Sequence, residues 1–141
     1  MEEKISDFDL AILKEALVNI GNSHSPYSNC KVSSVAVSAG TGKRYKGVNV
    51  ENSSYPCGIC AEQSAIAGAV SAEGSSFRLS AIYIVNSTDS VFEPCGLCRQ
   101  VLREFASDDA KVFVGNHDLS RVEVHSFSDV LPHSFSSDAM K

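Results

Sequence analysis

Two pairs of cysteines constrain this chain more than any other feature of its sequence. Cys57 and Cys60 form the first pair, Cys95 and Cys98 form the second, and 34 residues separate the pairs. Thiolate sulfur is a favoured ligand of Zn²⁺, and two short cysteine clusters far apart in sequence commonly build one zinc site. Glu62 follows Cys60 by two positions, so its carboxylate can lie beside a metal without binding it. We therefore expect a fold that brings both segments to one metal.

The bulk composition limits the classes of protein to which the chain can belong. The length of 141 residues predicts a single domain that spans residues 1–141, and a hydrophobic content of 43% is typical of globular proteins. The net charge of −5 and the lack of a Lys/Arg cluster argue against a nucleic-acid partner. No apolar run approaches the ~20 residues of a membrane span, so we expect no membrane partner either.

Cysteine usage and the N-terminus indicate the compartment. The five cysteines are an odd number, and the first four residues, 1–4, are too acidic for a typical secretory signal. This combination favours metal binding in a reducing compartment over disulfide bonds. We therefore expect a cytoplasmic protein.

Hydrophobic periodicity predicts the order of helices and strands. Apolar residues at i, i+3 and i+4 indicate helices, whereas alternation or a short unbroken apolar run indicates strands. The predicted helices cover residues 7–20, 60–73 and 96–105 (or 98–105), with a final helical turn at 127–131. The predicted strands cover residues 32–37, 44–50, 79–85, 111–114 and 121–125. This order predicts an α/β fold, a three-layer α/β/α sandwich with a mixed sheet of about five strands.

Two kinds of zinc site are compatible with four cysteines. A closed Cys₄ site would be structural, as in a zinc ribbon, whereas three protein ligands would leave a fourth position for water. The gap of 34 residues exceeds the ~15–20 residues of the usual ribbon spacing. Cys60 and Cys98 also lead into helical sequence, and the free N–H groups of a helix N-terminus stabilise thiolates. We favour the open site, which also gives Glu62 a role; a closed site and a site without metal remain alternatives.

The second strand of the predicted hairpin ends in two polar side chains. Strand alternation places Asn49 and Glu51 on one face, with Val48 and Val50 on the other. Such a pair could hold two hydroxyl groups of a sugar. A strand end exposed to solvent produces the same pattern and is the commoner reason for it.

Taken together, these motifs resemble those of the small tetrameric cytidine deaminases. The resemblance rests on Cys60-Ala61-Glu62, with Asn49-Val50-Glu51-Asn52 before it and Pro94-Cys95-Gly96-Leu97-Cys98-Arg99-Gln100 after it. Two further segments resemble the family at matching places, Ser25-Pro26-Tyr27-Ser28 and Leu131-Pro132-His133-Ser134-Phe135. A Glu next to the ligands, followed by Pro-Cys-x-x-Cys, is the signature of zinc deaminases. The ordered set covers nearly the whole chain.

The resemblance implies a reaction and a set of metal ligands. Cys60, Cys95 and Cys98 match the three cysteines that hold one Zn²⁺ per chain in the family, and Glu62 matches its proton shuttle. The implied activity is hydrolytic deamination of cytidine and deoxycytidine to uridine and deoxyuridine in pyrimidine salvage. A single carboxylate suffices because it acts first as a base and then as an acid.

The resemblance also implies how the nucleoside is bound. Asn49 and Glu51 match the residues that hold the ribose hydroxyl, and the backbone N–H of Ala61 is the expected partner of the pyrimidine O2. Tyr55 and Phe135 match residues near the substrate, with Phe135 reaching across from a neighbouring subunit. The family therefore implies a homotetramer with shared active sites.

The chain departs from the family pattern at several positions. Gln63 stands where the family commonly has an Arg that bonds the zinc thiolates, and the loss of this cation should make metal-bound water less acidic. Cys30 stands where a Phe commonly packs on the pyrimidine, and Ser33 and Ser34 replace small apolar residues nearby. We interpret Cys57 as a buried cysteine that binds no metal. These differences affect rate and substrate preference rather than the reaction class.

Three other functions are compatible with parts of the pattern. One is deamination of a related aminonucleoside such as blasticidin S, although the pair Asn49 and Glu51 favours cytidine. Another is an editing deaminase that acts on polynucleotide, which the acidic charge disfavours. The third is a non-enzymatic interaction module stabilised by a Cys₄ zinc site.

Overall fold

Five strands form one mixed sheet in the computed structural model, which describes residues 5–141. The strands are β1 (Val32–Ser38), β2 (Arg44–Val48), β3 (Leu79–Asn86), β4 (Ala106–Gly115) and β5 (Val122–Ser126). Their order in the sheet is β2-β1-β3-β4-β5. β3 and β4 pair in parallel, and every other neighbouring pair is antiparallel.

Four helices accompany the sheet in the described part of the chain. They are α1 (Asp7–Asn19), α2 (Ala61–Glu73), α3 (Gly96–Arg103) and the single turn α4 (Phe127–Val130), and short 3₁₀ turns cover Ile20–Asn22, Tyr55–Cys57 and Ser137–Met140. Helix α1 begins where the Ser6 hydroxyl accepts a hydrogen bond from the Asp9 N–H at 3.1 Å. This N-cap satisfies one of the free N–H groups of the first turn.

Alternating strand residues separate the core into two layers. On one face, Val35, Tyr83 and Phe113 pack with the buried residues of α1. On the other face, Ala36 and Val112 belong to the cluster that includes buried residues of α2, α3 and α4. Helices therefore cover both faces of the sheet, and the predicted three-layer α/β/α sandwich is confirmed.

At two strands a boundary differs from the predicted one by more than one residue. β2 ends at Val48, after which Val50 forms isolated bridges with His24 and Ile59. β4 begins at Ala106, five residues before the predicted start at Lys111, because the polar residues at its beginning hide the strand pattern. The predicted acidic N-terminal segment, residues 1–4, lies outside the described residues. Within residues 5–141, no helix combines the length and the apolar character that crossing a bilayer requires.

Close contact between β2 and α2 fixes the position of the helix that carries Glu62. A Cβ atom at Gly47 would lie 2.4 Å from both the Ala61 carbonyl oxygen and the Ala65 nitrogen. Since both are backbone atoms, they cannot move aside as a flexible side chain would. Ser34 adds a buried hydrogen bond from its hydroxyl to the Ala61 carbonyl at 2.8 Å.

Gly47→Ala is therefore expected to destabilise the protein by about 3 kcal/mol, since the methyl group overpacks a backbone contact. The measurement is the urea midpoint of unfolding for the metal-free protein. Gly40→Ala is the matched control, because Gly40 is exposed and its added Cβ meets nothing within 4 Å. Equal midpoints for the two variants would contradict the close approach of β2 and α2.

Candidate active site

Three of the five cysteines converge at the N-terminal ends of two helices. Cys60 is the N-cap of α2, Cys95 is the N-cap of α3, and Cys98 lies in the first turn of α3. Their sulfur atoms all lie within 4.8 Å of one another, and Cys60 Sγ is 3.9 Å from Cys95 Sγ. The fold thus joins the two cysteine segments at one point, as the spacing in the sequence predicts.

The sulfur geometry fits a tetrahedral zinc ion. With a Zn–S bond of about 2.3 Å, two thiolates on a tetrahedral metal lie about 3.8 Å apart, close to the separation of Cys60 and Cys95. Soft thiolate ligands also select zinc over the hard cations Mg²⁺ and Ca²⁺. The donor set and its spacing therefore suit Zn²⁺ with three protein ligands.

The protons of the cysteines are shared within the cluster. The pKa of Cys60 is lowered to about 7, first because its sulfur is stabilised by a hydrogen bond from Cys98. The same contact raises the pKa of Cys98, and burial raises it further. A thiolate is thus available near neutral pH, and a metal ion that binds here displaces the remaining protons.

Cys57 does not belong to this cluster. Its side chain is exposed, so the interpretation of Cys57 as a buried residue is wrong. It lies at the end of the 3₁₀ turn Tyr55–Cys57, which precedes the α2 N-cap and projects into solvent. Among residues 5–141, the convergent cysteines are three rather than four, which favours the open site over a closed Cys₄ site.

Glu62 lies in the first turn of α2, beside the sulfur cluster. The residue is only 4% exposed, and this burial is the main reason why its pKa is raised above that of an ordinary carboxyl group. A hydrogen bond from Cys98 acts in the opposite direction. Because burial favours the protonated form over that of an ordinary carboxyl group, Glu62 is suited both to accept and to donate a proton.

A cleft of about 350 Å³ opens onto Glu62, Cys60 and Cys95. Five of the residues that the sequence predicts for substrate binding or catalysis line it: Asn49, Glu51, Tyr55, Ala61 and Glu62. The predicted residue Phe135 is not among its lining residues. It is 60% exposed, and its carbonyl accepts a hydrogen bond from Gln100 Nε2 at 3.2 Å.

The Asn49 side chain holds the loop that precedes β1. Its Oδ1 accepts hydrogen bonds from the Val32 N–H at 2.9 Å and from the Ser23 hydroxyl, and its Nδ2 donates to the Cys30 carbonyl at 2.9 Å. The Cys30 backbone is thus tied to Asn49, but Cys30 is not among the residues that line the cleft.

Glu51 also holds this loop. One carboxylate oxygen accepts from the backbone N–H groups of Tyr27 and Ser28 at 3.0 and 3.1 Å, and the other accepts from the Ser28 hydroxyl. The Ser28 hydroxyl is the main reason why the pKa of Glu51 is lowered. These contacts show that the polar strand end is a structured element and does not simply face solvent.

Sequence reasoning missed several contributors to the site. Phe92 and Glu93 line the cleft from the loop before α3, and Ser23 and Ser28 orient Asn49 and Glu51. Phe92 and Glu93 could have been predicted, because Glu93 lies only two positions before Cys95 in the sequence. The serines carry no comparable signal, because turn-forming loops are commonly rich in serine.

Gln63 and Arg99 support the ligands from outside the cluster. The Cys60 N–H donates to Gln63 Oε1 at 2.8 Å, so Gln63 helps to fix the start of α2. Arg99 donates from Nε to the Pro94 carbonyl at 2.6 Å and from Nη1 to the Val130 carbonyl at 2.8 Å. Arg99 thereby ties the residue before Cys95 to α4.

Arg99→Met is expected to weaken zinc binding about 10–100-fold, the usual cost of losing a residue that orients a metal ligand. The measurement is competition with a zinc-selective chelator. Arg78→Met is the control, because Arg78 also donates to two backbone carbonyls, those of Ser75 and Phe77, but far from the cysteines. Equal zinc affinity in both variants would contradict a positioning role for Arg99.

Comparison with known proteins agrees with this geometry. Residues 6–116 match the family model of the cytidine and deoxycytidylate deaminase zinc-binding region. The chain is 33% identical to the cytidine deaminase of Mycoplasma genitalium, over 88% of this chain and 92% of that protein. It is 36% identical to the cytidine deaminase of Halalkalibacterium halodurans, over 92% of this chain and 95% of that protein.

Solved structures are similar over nearly the whole chain. The crystal structure of cytidine deaminase from Burkholderia pseudomallei has a TM-score of 0.81 at 34% identity, and the match covers 93% of this chain and all of that one, 100%. The cytidine deaminase structure from Mycobacterium leprae has a TM-score of 0.74 at 33% identity, covering 92% and 100% of the two chains. From its zinc-ligand geometry and these matches, the chain belongs to the zinc-binding cytidine and deoxycytidylate deaminase family.

Proposed function

We propose that this protein is a zinc-dependent cytidine deaminase that hydrolyses cytidine and deoxycytidine to uridine and deoxyuridine, with release of ammonia. The observation that carries the proposal is the buried carboxylate of Glu62 beside three convergent cysteines, at the end of a cleft. We propose one Zn²⁺ per chain, held by Cys60, Cys95 and Cys98, and we treat residues 1–141 as one deaminase domain.

Proton transfer by Glu62 is the central chemical role of the chain. Zn²⁺ on the three sulfurs would supply a Lewis acid that makes water reactive near neutral pH. Glu62 accepts a proton from the attacking water and delivers it to N3 of the cytosine ring, while a C–O bond forms at C4. Glu62 then takes the proton of the new C4 hydroxyl group and passes it to the amino group. The C4–N bond breaks as the C4 carbonyl forms, and ammonia leaves. One water is consumed for each uridine formed.

The hydrogen bonds of Asn49 and Glu51 leave capacity for the ribose. A carboxylate offers about four acceptor positions, of which the loop donors use three, so Glu51 can accept one more hydroxyl. Asn49 Nδ2 has two N–H groups, one of which bonds Cys30, so the other can donate to a ribose oxygen. Together the pair can bind one sugar hydroxyl as both donor and acceptor.

The pyrimidine ring is held by the start of α2 and by aromatic side chains. The Ala61 N–H lies at the N-terminus of α2, where backbone N–H groups have no partner within the helix, and it donates to the pyrimidine O2. Tyr55 lines the cleft and contacts Tyr27 edge to face, with ring centroids 5.9 Å apart. These contacts orient C4 of the ring toward Glu62.

We assign Phe135 to the active site of a neighbouring subunit in a homotetramer. Its exposure supports this assignment, as do the exposed apolar side chains Ile59, Phe92 and Leu97 around the cleft. Phe135→Ala is expected to raise the KM for cytidine about tenfold, the cost of one lost aromatic contact. Kinetics at fixed protein concentration, with size-exclusion chromatography as the check on assembly, measure this change. An unchanged KM in an intact tetramer would contradict the assignment.

A cytoplasmic role in pyrimidine salvage fits this chemistry, because free thiols persist in a reducing compartment. The net charge of −5 favours a free nucleoside over a polynucleotide as substrate. A uridine-forming assay, run with zinc counted per chain, tests the whole proposal. We expect turnover of cytidine and deoxycytidine at one zinc per chain. Turnover of blasticidin S with neither nucleoside accepted would overturn the substrate, and zinc without any turnover would overturn the activity.

A further inference from the structure

A second group of metal-ligating side chains lies outside the cysteine cluster. Glu123 and His125 are two positions apart on β5, so their side chains share one face of the sheet. Glu123 pairs with Val114 and His125 pairs with Val112, both of which face the helices α2 and α3. Glu93 reaches the same place from the loop between β3 and α3, two residues before Cys95.

The spacing of the three side chains suits a shared cation. One nitrogen of His125 and one oxygen from each carboxylate lie within 4.8 Å of one another. His125 Nε2 is 3.7 Å from Glu93 Oε1, which is too long for a direct hydrogen bond. With bonds of about 2.0–2.2 Å to nitrogen and oxygen, two ligand atoms of a tetrahedral metal ion lie roughly 3.3–3.6 Å apart, close to this separation.

The imidazole of His125 provides a second, independent observation. The side chain as a whole is 28% exposed, yet its Nε2 atom is shielded from solvent. Among residues 5–141, no group forms a hydrogen bond with this nitrogen. A shielded polar atom without a partner is costly, and the lone pair of a neutral imidazole nitrogen is a common metal ligand.

We propose that Glu93, Glu123 and His125 bind a second divalent cation of the first transition row, with Zn²⁺ as the probe. One imidazole and two carboxylates form a mixed nitrogen and oxygen donor set, which suits such ions better than Ca²⁺ or Mg²⁺. The two carboxylates also balance the charge of the ion. A cation bound at this site links the edge strand β5 with the loop that precedes Cys95. This proposal does not depend on the proposed reaction.

Zinc titration of protein whose cysteine site is already filled tests the proposal. We expect isothermal titration calorimetry to show one further saturable equivalent of Zn²⁺ per chain, lost in His125→Ala and in Glu123→Gln. At a hundredfold excess over the dissociation constant, Zn²⁺ should also raise the Tm of the unmodified protein by roughly 5–10 °C, and neither variant should show this shift. Glu123→Gln nearly preserves shape, so it keeps the test valid if His125→Ala folds poorly.

A matched control and a spectroscopic probe distinguish the two metal sites. His117→Ala removes an exposed imidazole that also contacts two carboxylates, Asp89 and Asp118, and it should retain the further equivalent. Substitution with Co²⁺ reports the cysteine site separately, through thiolate-to-metal charge-transfer absorption. Any of three results would overturn the second site, even with the cysteine site and the deaminase activity intact. They are the absence of a further zinc equivalent in the unmodified protein, zinc uptake that does not saturate, and uptake that survives both His125→Ala and Glu123→Gln.

Discussion

Glu62→Gln is expected to lower the turnover of cytidine by about 10²–10⁴-fold or more, while one Zn²⁺ per chain remains bound. Glutamine has nearly the same shape and volume but cannot carry the proton between water, the ring nitrogen and the leaving amine. The proposed zinc ligands are Cys60, Cys95 and Cys98, so loss of the Glu62 carboxylate should remove no metal–ligand bond. Steady-state uridine formation gives the rate, and elemental analysis gives the zinc content.

A control in the same helix separates proton transfer from general effects of charge. Glu73 lies at the opposite end of α2, where its carboxylate accepts hydrogen bonds from Ser38, Thr41 and Tyr45. Glu73→Gln removes the same charge far from the cleft, so we expect its turnover to change by less than about twofold. Near-normal turnover in Glu62→Gln, or an equal loss in both variants, would exclude Glu62 as the proton shuttle.

Cys98→Ser is expected to lower zinc affinity by more than about 10²-fold. This loss is larger than the one expected for Arg99→Met, because Arg99 only orients a ligand. Cys98 is fully buried within the sulfur cluster, and a serine hydroxyl at that position is a poor zinc ligand compared with a thiolate. Competition with a chelator measures the affinity, and far-UV circular dichroism shows whether the variant is folded.

Cys57→Ser is the matched control for this loss of metal. Cys57 belongs to the same Cys-x-x-Cys pair as Cys60 but is exposed and lies outside the cluster. The variant should therefore keep one tightly bound zinc and normal turnover. A loss of zinc in Cys57→Ser as large as in Cys98→Ser would restore the closed Cys₄ site and contradict an open fourth position.

Local patterns were sufficient to predict the layers of the fold. The unbroken apolar run from Leu79 to Val85 is typical of a strand covered on both faces, and β3 is the middle strand of the sheet. The start of β4 could not be predicted in this way. Ser107, Asp108 and Asp109 are exposed and polar, and they lie in an irregularity between the pairs Leu79–Ala106 and Ala81–Lys111. No alternation of apolar side chains therefore marks this part of the strand.

The centre of the site could be predicted from sequence because its chemistry requires particular residues at short spacings. Cys95 and Cys98 are three positions apart at the start of α3, a spacing at which helix geometry brings two side chains together. Glu62 follows the N-cap Cys60 by two positions, so it must lie in the first turn of α2. Contacts such as that between Arg99 and Val130 join residues far apart in sequence and depend on the tertiary fold. The exposure of Cys57 likewise depends on the direction of the short turn that precedes α2.

The two halves of the cleft are built on different supports. Reactive groups stand on the rigid first turns of α2 and α3, whereas Asn49 and Glu51 hold the loop of residues 22–30 through side-chain hydrogen bonds. Variation in that loop can therefore reshape the proposed sugar-binding wall without moving a single sulfur atom. For an engineer who wants to change which sugar analogue is accepted, the productive library is one randomised at Ser23, Tyr27 and Cys30, with both helix ends left as they are.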